Sequence, residues 1–318
     1  MNSEEVVSLV IPLFNEEALV ETLSERVTGA IKASGSNFEV VLVDDGSKDS
    51  TYLKLLEWQE KDNRVVIVQL SRNWGHQNAF NAGLDVATGD AVIFMDGGLE
   101  DPPEVIPDLL AELEAGYNTV YTKKVSRHQR GLRKFLTRVY YSLVKKTNKH
   151  GVPPGAGMFS LIDSQVANVL REMKESNKSY PNLRSFLGFK QKSIPYVRDP
   201  RAYGNPKQSL SRLLNDGLNA IFSNTFLPIR FFSLFGLFCL LIFVILGLTV
   251  FVVRITGWEF WIFRDIPGTQ MILLAVLAFG SLQIMFLGIL GEYIARIYDE
   301  SKGRPYYVIE EIKRSGEA

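Results

Sequence analysis

FEVVLVDDGS, residues 38–47, is an apolar, β-branched run that ends abruptly on two acids and a glycine. Such a run, with no polar alternation, reads as a strand buried on both faces, and its acid–glycine end as the exit into a turn. The same pattern surrounds it. VVSLVIPLF (6–14) is a strand ended by Asn15 and Glu16. VVIVQL (65–70) is a third strand, DAVIFMD (90–96) a fourth that again ends in an acid, and NTVYTKK (118–124) begins a fifth. Helical periodicity fills the gaps. Ala18, Leu19, Leu23 and Val27 form the apolar face of a helix that runs to about residue 33. Leu53, Leu56 and Trp58 mark a second helix, with Ser47 or Asp49 as its cap. GHQNAFNAGLDVATG (75–89) is a third, closed by Gly89, and PPEVIPDLLAELEAG (102–116) a fourth, with prolines near its first turn.

Strands alternating with helices imply right-handed crossovers and a mainly parallel sheet. In such sheets ligands bind beyond the carboxyl ends of the strands. Three of those ends carry polar groups: Asn15-Glu16, Asp44-Asp45-Gly46-Ser47 and Asp96-Gly97-Gly98. Asp49 is read as a helix cap, Asp44 and Asp96 as ligand-binding groups. No GxGxxG follows the first strand and no GxxxxGK[ST] occurs, which speaks against the dinucleotide and P-loop readings. A rim of carboxylates suits a divalent cation that holds a diphosphate.

The composition hides a second region. Hydrophobic residues make up 46% of the 318, a globular average, yet two blocks concentrate them. Residues 231–253 and 271–290 carry no charge, and each reaches the roughly 20 residues that span a bilayer. Arg212 and Arg230 precede the first block, and Arg296, Lys302 and Arg304 follow the second. The loop between holds only Arg254 and Arg264, with Trp258 and Trp261 suited to an interface. The positive-inside rule then puts both termini in the cytoplasm. The acidic start, MNSEEVVSLV, does not read as a signal peptide. Cys239, the sole cysteine, excludes an intrachain disulfide and a cysteine-based zinc cluster. A net charge of zero gives no nucleic-acid signal.

Five stretches carry a resemblance that spans nearly the whole chain: VSLVIPLFNEE (7–17), EVVLVDDGSKDST (39–51), the long run LSRNWGHQNAFNAGLDVATGDAVIFMDGGLEDPPEV (70–105), GFKQKSIPYVRDPRAYGNPKQSLSRLL (188–214) and GEYIARIYDESKGRPYYVIEE (291–311). Together they resemble the family 2 glycosyltransferases of GT-A fold. The match is nearest to the polyprenyl-phosphate group, which includes bactoprenol glucosyltransferases and dolichol-phosphate mannose synthases. The resemblance implies a cytoplasmic GT-A catalytic domain over 1–208 and a juxtamembrane amphipathic helix over 209–230. Transmembrane helices over 231–253 and 270–290 would flank a short extracytoplasmic loop over 254–269, with a cytoplasmic tail over 291–318. Pro12, Phe14, Glu16 and Asp44 would line the uridine pocket, Asp44 accepting a hydrogen bond from the base, with Asp45 beside it. Asp96 would face the cation and diphosphate. Arg127, Arg130, Arg133, Arg198, Arg201 and Lys207 are candidates for the lipid phosphate or diphosphate, and Arg201 is the one assigned a catalytic part.

Two departures from the family pattern matter. MDADLQDPPE is replaced by MDGGLEDPPE, so Gly98 removes the second acid of a DxD pair while Glu100 adds one two residues later. Asp96 and Glu100 are therefore the expected ligands of Mg²⁺ or Mn²⁺. At 153–161 the chain reads PPGAGMFSL, with Gly155, Met158 and Ser160 where relatives carry two acids and an arginine. Met158 is no base, but a phosphate monoester is largely ionised near neutral pH and needs none.

The resemblance thus implies inverting transfer of glucose from UDP-glucose to undecaprenyl or a related polyprenyl phosphate, for cell-surface glycan modification. The enzyme would sit in a bacterial-type inner membrane as a multi-pass protein. UDP-N-acetylhexosamine, UDP-galactose or GDP-mannose are alternative donors, and an inactive nucleotide- and lipid-phosphate-binding homologue is a further reading. Residues 210–232 and 135–147 read as interfacial helices. Small residues in the apolar blocks fit close helix packing and a homo-oligomer. With two spans, a separate flippase and a downstream glycosyltransferase are the expected partners.

Overall fold

The structure, a computed structural model, describes residues 5–124, 155–173, 179–196, 227–256 and 268–316. Two compact units emerge. Met1–Lys207 with Pro305–Ala318 form the first, and Gln208–Arg304 the second.

In the first unit β1 (Val6–Leu13), α1 (Val20–Ser34), β2 (Asn37–Asp44), α2 (Thr51–Lys61), β3 (Val65–Leu70), α3 (His76–Val86) and β4 (Ala91–Phe94) follow one another. A 3₁₀ turn (Pro103–Val105) leads into α4 (Ile106–Glu114) and β5 (Thr119–Lys124). After these come β6 (Ala156–Asp163), α5 (Ser164–Glu172), α6 (Tyr180–Leu187) and β7 (Gln191–Tyr196), and finally the C-terminal β8 (Ile309–Arg314). One eight-stranded sheet runs in the order β7-β5-β6-β4-β1-β2-β3-β8. Its centre, β4-β1-β2-β3, is parallel, as the alternation of strands and helices requires. β1 and β2 pair in full register from Val6–Asn37 to Leu13–Asp44, so their polar exits emerge side by side.

Period-two alternation splits the core. Leu9 and Ile11 of β1 face Leu23 and Val27 of α1 and Leu109 of α4 on one side of the sheet. Val10 points the other way, onto Phe80 and Leu84 of α3, with Val166 and Tyr180. The gaps between strands carry polar pins. Gly89 does not close α3, which ends at Val86 with Ala87 as its cap. It is needed where the chain returns to β1, because a Cβ there would lie 2.7 Å from the Ser8 nitrogen and the Val6 oxygen.

Three strands have no counterpart in the sequence reading. β6 inserts antiparallel between β4 and β5, and β7 adds parallel to β5 at the edge. β8, from the expected free tail, pairs antiparallel with β3. Gln59 Nε2 donates to Lys313 O (2.8 Å), Tyr52 OH to Glu311 (3.0 Å), Arg314 to Glu39 (3.1 Å), and Tyr307 OH to Asp85 on α3. β8 thus covers an edge that would otherwise offer unpaired backbone groups.

The second unit contains α7 (Leu227–Thr256) and α8 (Gly268–Ser301), which hold the two uncharged blocks. Among the described residues, Ala275–Ser301 is long and apolar enough to cross a membrane. Ser233–Thr249 forms a shorter apolar stretch. Large side chains such as Phe238, Leu241, Ile245, Leu248 and Phe251 are exposed. α8 does not stop at 290, where the sequence reading placed the end of the span. Nothing from Glu292 to Ser301 breaks a helix, and the first turn-former in a left-handed conformation is Gly303. At 34 residues α8 is about 51 Å long, well beyond a ~30 Å hydrocarbon core.

Candidate active site

The β1 and β2 exits are stitched together before any ligand arrives. Asp45 N–H donates to Leu13 O (2.9 Å), Asn15 N–H to Ser47 Oγ (3.0 Å), and Lys48 N–H to Asn15 Oδ1 (2.8 Å). Asn15 accepts a positive φ of 52°, which asparagine tolerates better than most residues. Glu16 N–H bonds Thr51 Oγ1 (2.9 Å), and Asp49 Oδ1 accepts from Thr51 N–H (3.0 Å) just before α2, although Ser50 and not Asp49 holds the cap position. Burial opposes the Asp49 charge, but the Thr51 and Glu17 donors outweigh it and hold its pKa below the usual value. Gly46 sits at φ 68°, and a Cβ there would meet the Arg72 backbone at 2.4 Å. Pro12 is buried at the end of β1, and Phe14 and Glu16 are half-buried beyond it.

Asp44 and Asp45, both buried, differ in what they bond. Asp45 holds the β3–α3 loop by accepting Trp74 N–H at 2.7 Å and Gly75 N–H at 3.0 Å. Asp44 Oδ1 accepts Ser47 N–H at 3.2 Å, while its buried Oδ2 has no partner. Burial raises the pKa of both. Ser47 partly offsets this at Asp44, and the two backbone donors do so at Asp45. An unpartnered buried carboxylate oxygen is costly, so Asp44 Oδ2 keeps an accepting capacity that the described residues do not fill.

Asp96 follows β4 on the same rim. Gly97 lets the chain pass β1, since a Cβ there would lie 2.8 Å from Pro12 O. Asp96 Oδ1 lies 2.9 Å from Nε2 of His76, the first residue of α3. Burial works against a charged imidazole, but the bond to Asp96 and the charges of Asp96 and Asp45 prevail and raise the His76 pKa. The sequence reading took 75–89 as a helix and gave His76 no part. The available signal is a histidine that opens a helix soon after β3 ends at Leu70. Gln77 Nε2 donates to Met158 Sδ at 3.8 Å, which brings the departing Met158 to the same corner. One residue away, Gly157 O accepts from Arg184 (2.8 Å), a buried guanidinium whose Nε and Nη1 have no partner. Burial pushes its pKa down to about 10. Asp101, next to Glu100, is buried and bonded by Tyr196 OH, which ties β7 to the loop after β4.

Among the described residues no three His, Cys, Asp or Glu side chains gather as a metal cluster. Asp96 oxygen and His76 nitrogen stand together, so the site fits a cation that takes its remaining ligands from a diphosphate and water. Arg127, Arg130, Arg133, Arg198, Arg201 and Lys207 lie outside the described residues, as do 135–147 and 209–226.

A parallel α/β block with acids at the carboxyl ends of its strands, flanked by an antiparallel β6, defines a GT-A-type transferase domain. The family model described as Glycosyl transferase family 2 matches residues 8–171, and the chain belongs to that family. Relatives align along almost the whole chain. A prophage bactoprenol glucosyl transferase homolog of Escherichia coli (strain K12) is 33% identical, over 97% of this chain and 99% of its own. An undecaprenyl-phosphate 4-deoxy-4-formamido-L-arabinose transferase of Klebsiella pneumoniae is 31% identical, over 98% and 94%. An uncharacterised glycosyltransferase of Synechocystis is 32% identical, over 96% and 95%. Among solved structures, glucosyl-3-phosphoglycerate synthase from Mycobacterium tuberculosis, in complex with Mn²⁺, UDP and glucosyl-3-phosphoglycerate, aligns at TM-score 0.49 and 18% identity. That alignment covers 69% of this chain and 78% of the synthase.

Proposed function

We propose that this chain transfers glucose from UDP-glucose to a polyprenyl phosphate at the cytoplasmic face of a membrane. The observation that carries the reading is the end-to-end match to a bactoprenol glucosyl transferase homolog, apolar helices and tail included. The unpartnered Asp44 Oδ2 supports it locally, as an acceptor suited to the imide N–H of uracil. Pro12, Phe14 and Glu16 complete that pocket. Asp96 with Glu100 would hold Mg²⁺ or Mn²⁺, which when bound neutralises charge on the departing diphosphate. A lipid phosphate oxygen attacks C1, the bond from C1 to the UDP oxygen breaks, and UDP leaves. A single displacement converts an α-linked donor into a β-linked product with no covalent enzyme intermediate. Positioning and charge stabilisation suffice for an ionised nucleophile, so Met158 costs the reaction nothing. Arg201, with Arg127, Arg130, Arg133, Arg198 and Lys207, would neutralise the lipid phosphate and diphosphate.

Connectivity supports an even number of crossings. β8 belongs to the same sheet as β1, so the chain leaves and re-enters one compartment. If α8 crosses the bilayer, a second crossing must precede it, and α7 is the segment available. The reading includes a homo-oligomer and a separate flippase for the product.

The formamido-arabinose relative favours a second reading, in which the acceptor is the same and the sugar differs. Purified protein incubated with undecaprenyl phosphate and a panel of nucleotide sugars separates the two. Lipid-linked product from UDP-glucose is expected. Product only from another donor would replace glucose, and binding of UDP and lipid phosphate without turnover on any donor would leave an inactive homologue.

A further inference from the structure

We infer that His76 is a further ligand of the donor-site cation, beside the proposed Asp96 and Glu100, so that the site presents nitrogen as well as oxygen. This rests on the proposed nucleotide-diphosphate site at the strand exits. His76 Nε2 and Asp96 Oδ1 are 2.9 Å apart. Adjacent ligands of a six-coordinate ion bound at about 2.1 Å are themselves about 3 Å apart, so the two atoms already stand at cis-ligand separation.

The imidazole is also held in place. Its ring packs edge-on against buried Phe80, with centroids 4.8 Å apart at 74°. Its backbone opens α3 after Gly75, whose φ of 93° makes the turn, and the Gly75 and Trp74 N–H groups are fixed by Asp45. The acid behind β2 therefore positions the nitrogen in front of β4. The pair remains accessible, with the His76 and Asp96 side chains 49% and 24% exposed.

A nitrogen ligand changes which ions the site holds. Mg²⁺ prefers an all-oxygen shell and gives up water reluctantly, whereas transition ions accept imidazole. The site should favour Mn²⁺ over Mg²⁺ by more than a carboxylate pair would, and His76 should be the cause.

The test uses the full-length protein in detergent with saturating UDP, reading free Mn²⁺ by electron paramagnetic resonance and Mg²⁺ by competition. His76→Ala is expected to weaken Mn²⁺ binding by at least about tenfold and to change Mg²⁺ binding much less, which narrows the preference. His76→Asp, which puts a carboxylate in place of the nitrogen, should bind Mg²⁺ more tightly than wild type. UDP affinity without any cation, and the thermal midpoint, should match wild type in both variants, which separates a lost ligand from a damaged fold. Unchanged or tighter Mn²⁺ binding by His76→Ala would overturn the inference, and so would wild-type protein that binds UDP but no Mn²⁺. Wild-type protein that fails to bind UDP at all would instead sink the nucleotide-site reading beneath it.

Discussion

Asp44 and Asp45 are neighbouring aspartates, both buried, yet the structure gives them different partners. Asp45 is consumed by two backbone N–H groups, and Asp44 keeps one oxygen unpartnered. Asp45→Ala should lower stability by about 1–3 kcal/mol, because it strands the Trp74 and Gly75 donors and loosens the loop that presents His76. A drop in the thermal midpoint checks this. Asp44→Asn should leave the midpoint at pH 7 unchanged or raised while weakening UDP binding at least tenfold or so, since an amide donor would face the donor of the base. The sign follows from linkage. Burial raises the folded-state pKa of Asp44, so its contribution to stability is fullest below the unfolded value and is lost as pH rises through the folded value. Titrating the midpoint of wild type against Asp44→Asn should show the variant gaining relative stability over that rise. The sequence reading marked both acids as rim residues and paired them at the nucleotide. Only hydrogen-bond partners tell them apart, and those come from Ser47 on one side and from a loop some thirty residues away on the other.

At the scale of elements, the parallel block was legible because each strand is a continuous apolar run and each helix has a clean apolar face. β6, β7 and β8 were not. QKSIPY and IEEIKR are short and polar or proline-bearing, and become strands because a neighbour offers an edge, whereas AGMFSLID is eight residues long and largely apolar but stands where the family pattern drew attention to its missing acids. β8 shows the point most plainly. IEEIKR lacks the period-two alternation of a strand, its two isoleucines standing three residues apart, and it lies in the segment expected to be a cytoplasmic tail. Its side chains reach three elements, α2, β2 and α3, and Arg314 joins Glu39, which also accepts bonds from Ser8 and Thr88. Arg314→Ala should cost about 1–2 kcal/mol by removing a charge-assisted bond from a buried carboxylate. Deleting 305–318 should do more, exposing the β3 edge and driving association. Size-exclusion profiles of the two variants should separate these effects, the point variant staying dispersed and the truncation aggregating.

For the whole molecule, the sheet sets a parity that the hydropathy of each helix alone does not. With β8 locked onto β3, the chain's beginning and end share one compartment. Replacing Cys239 by Ser and then introducing a cysteine at position 260 or at position 316 tests this. A membrane-impermeant thiol reagent applied to intact cells should label the first and spare the second. Labelling of position 316 from outside would contradict the assignment of the catalytic unit to the cytoplasm.

The sequence by itself determined the central parallel sheet, the three acidic exits, the two apolar blocks and the family, because each is written in local periodicity or in contiguous motifs. The tertiary structure decided which acid bonds the scaffold and which keeps an unpartnered oxygen, that His76 meets Asp96, and that residues 309–314 of the tail form a strand. These depend on groups far apart in the chain that meet only when the sheet brings its edges and exits together, and no local pattern records such a meeting.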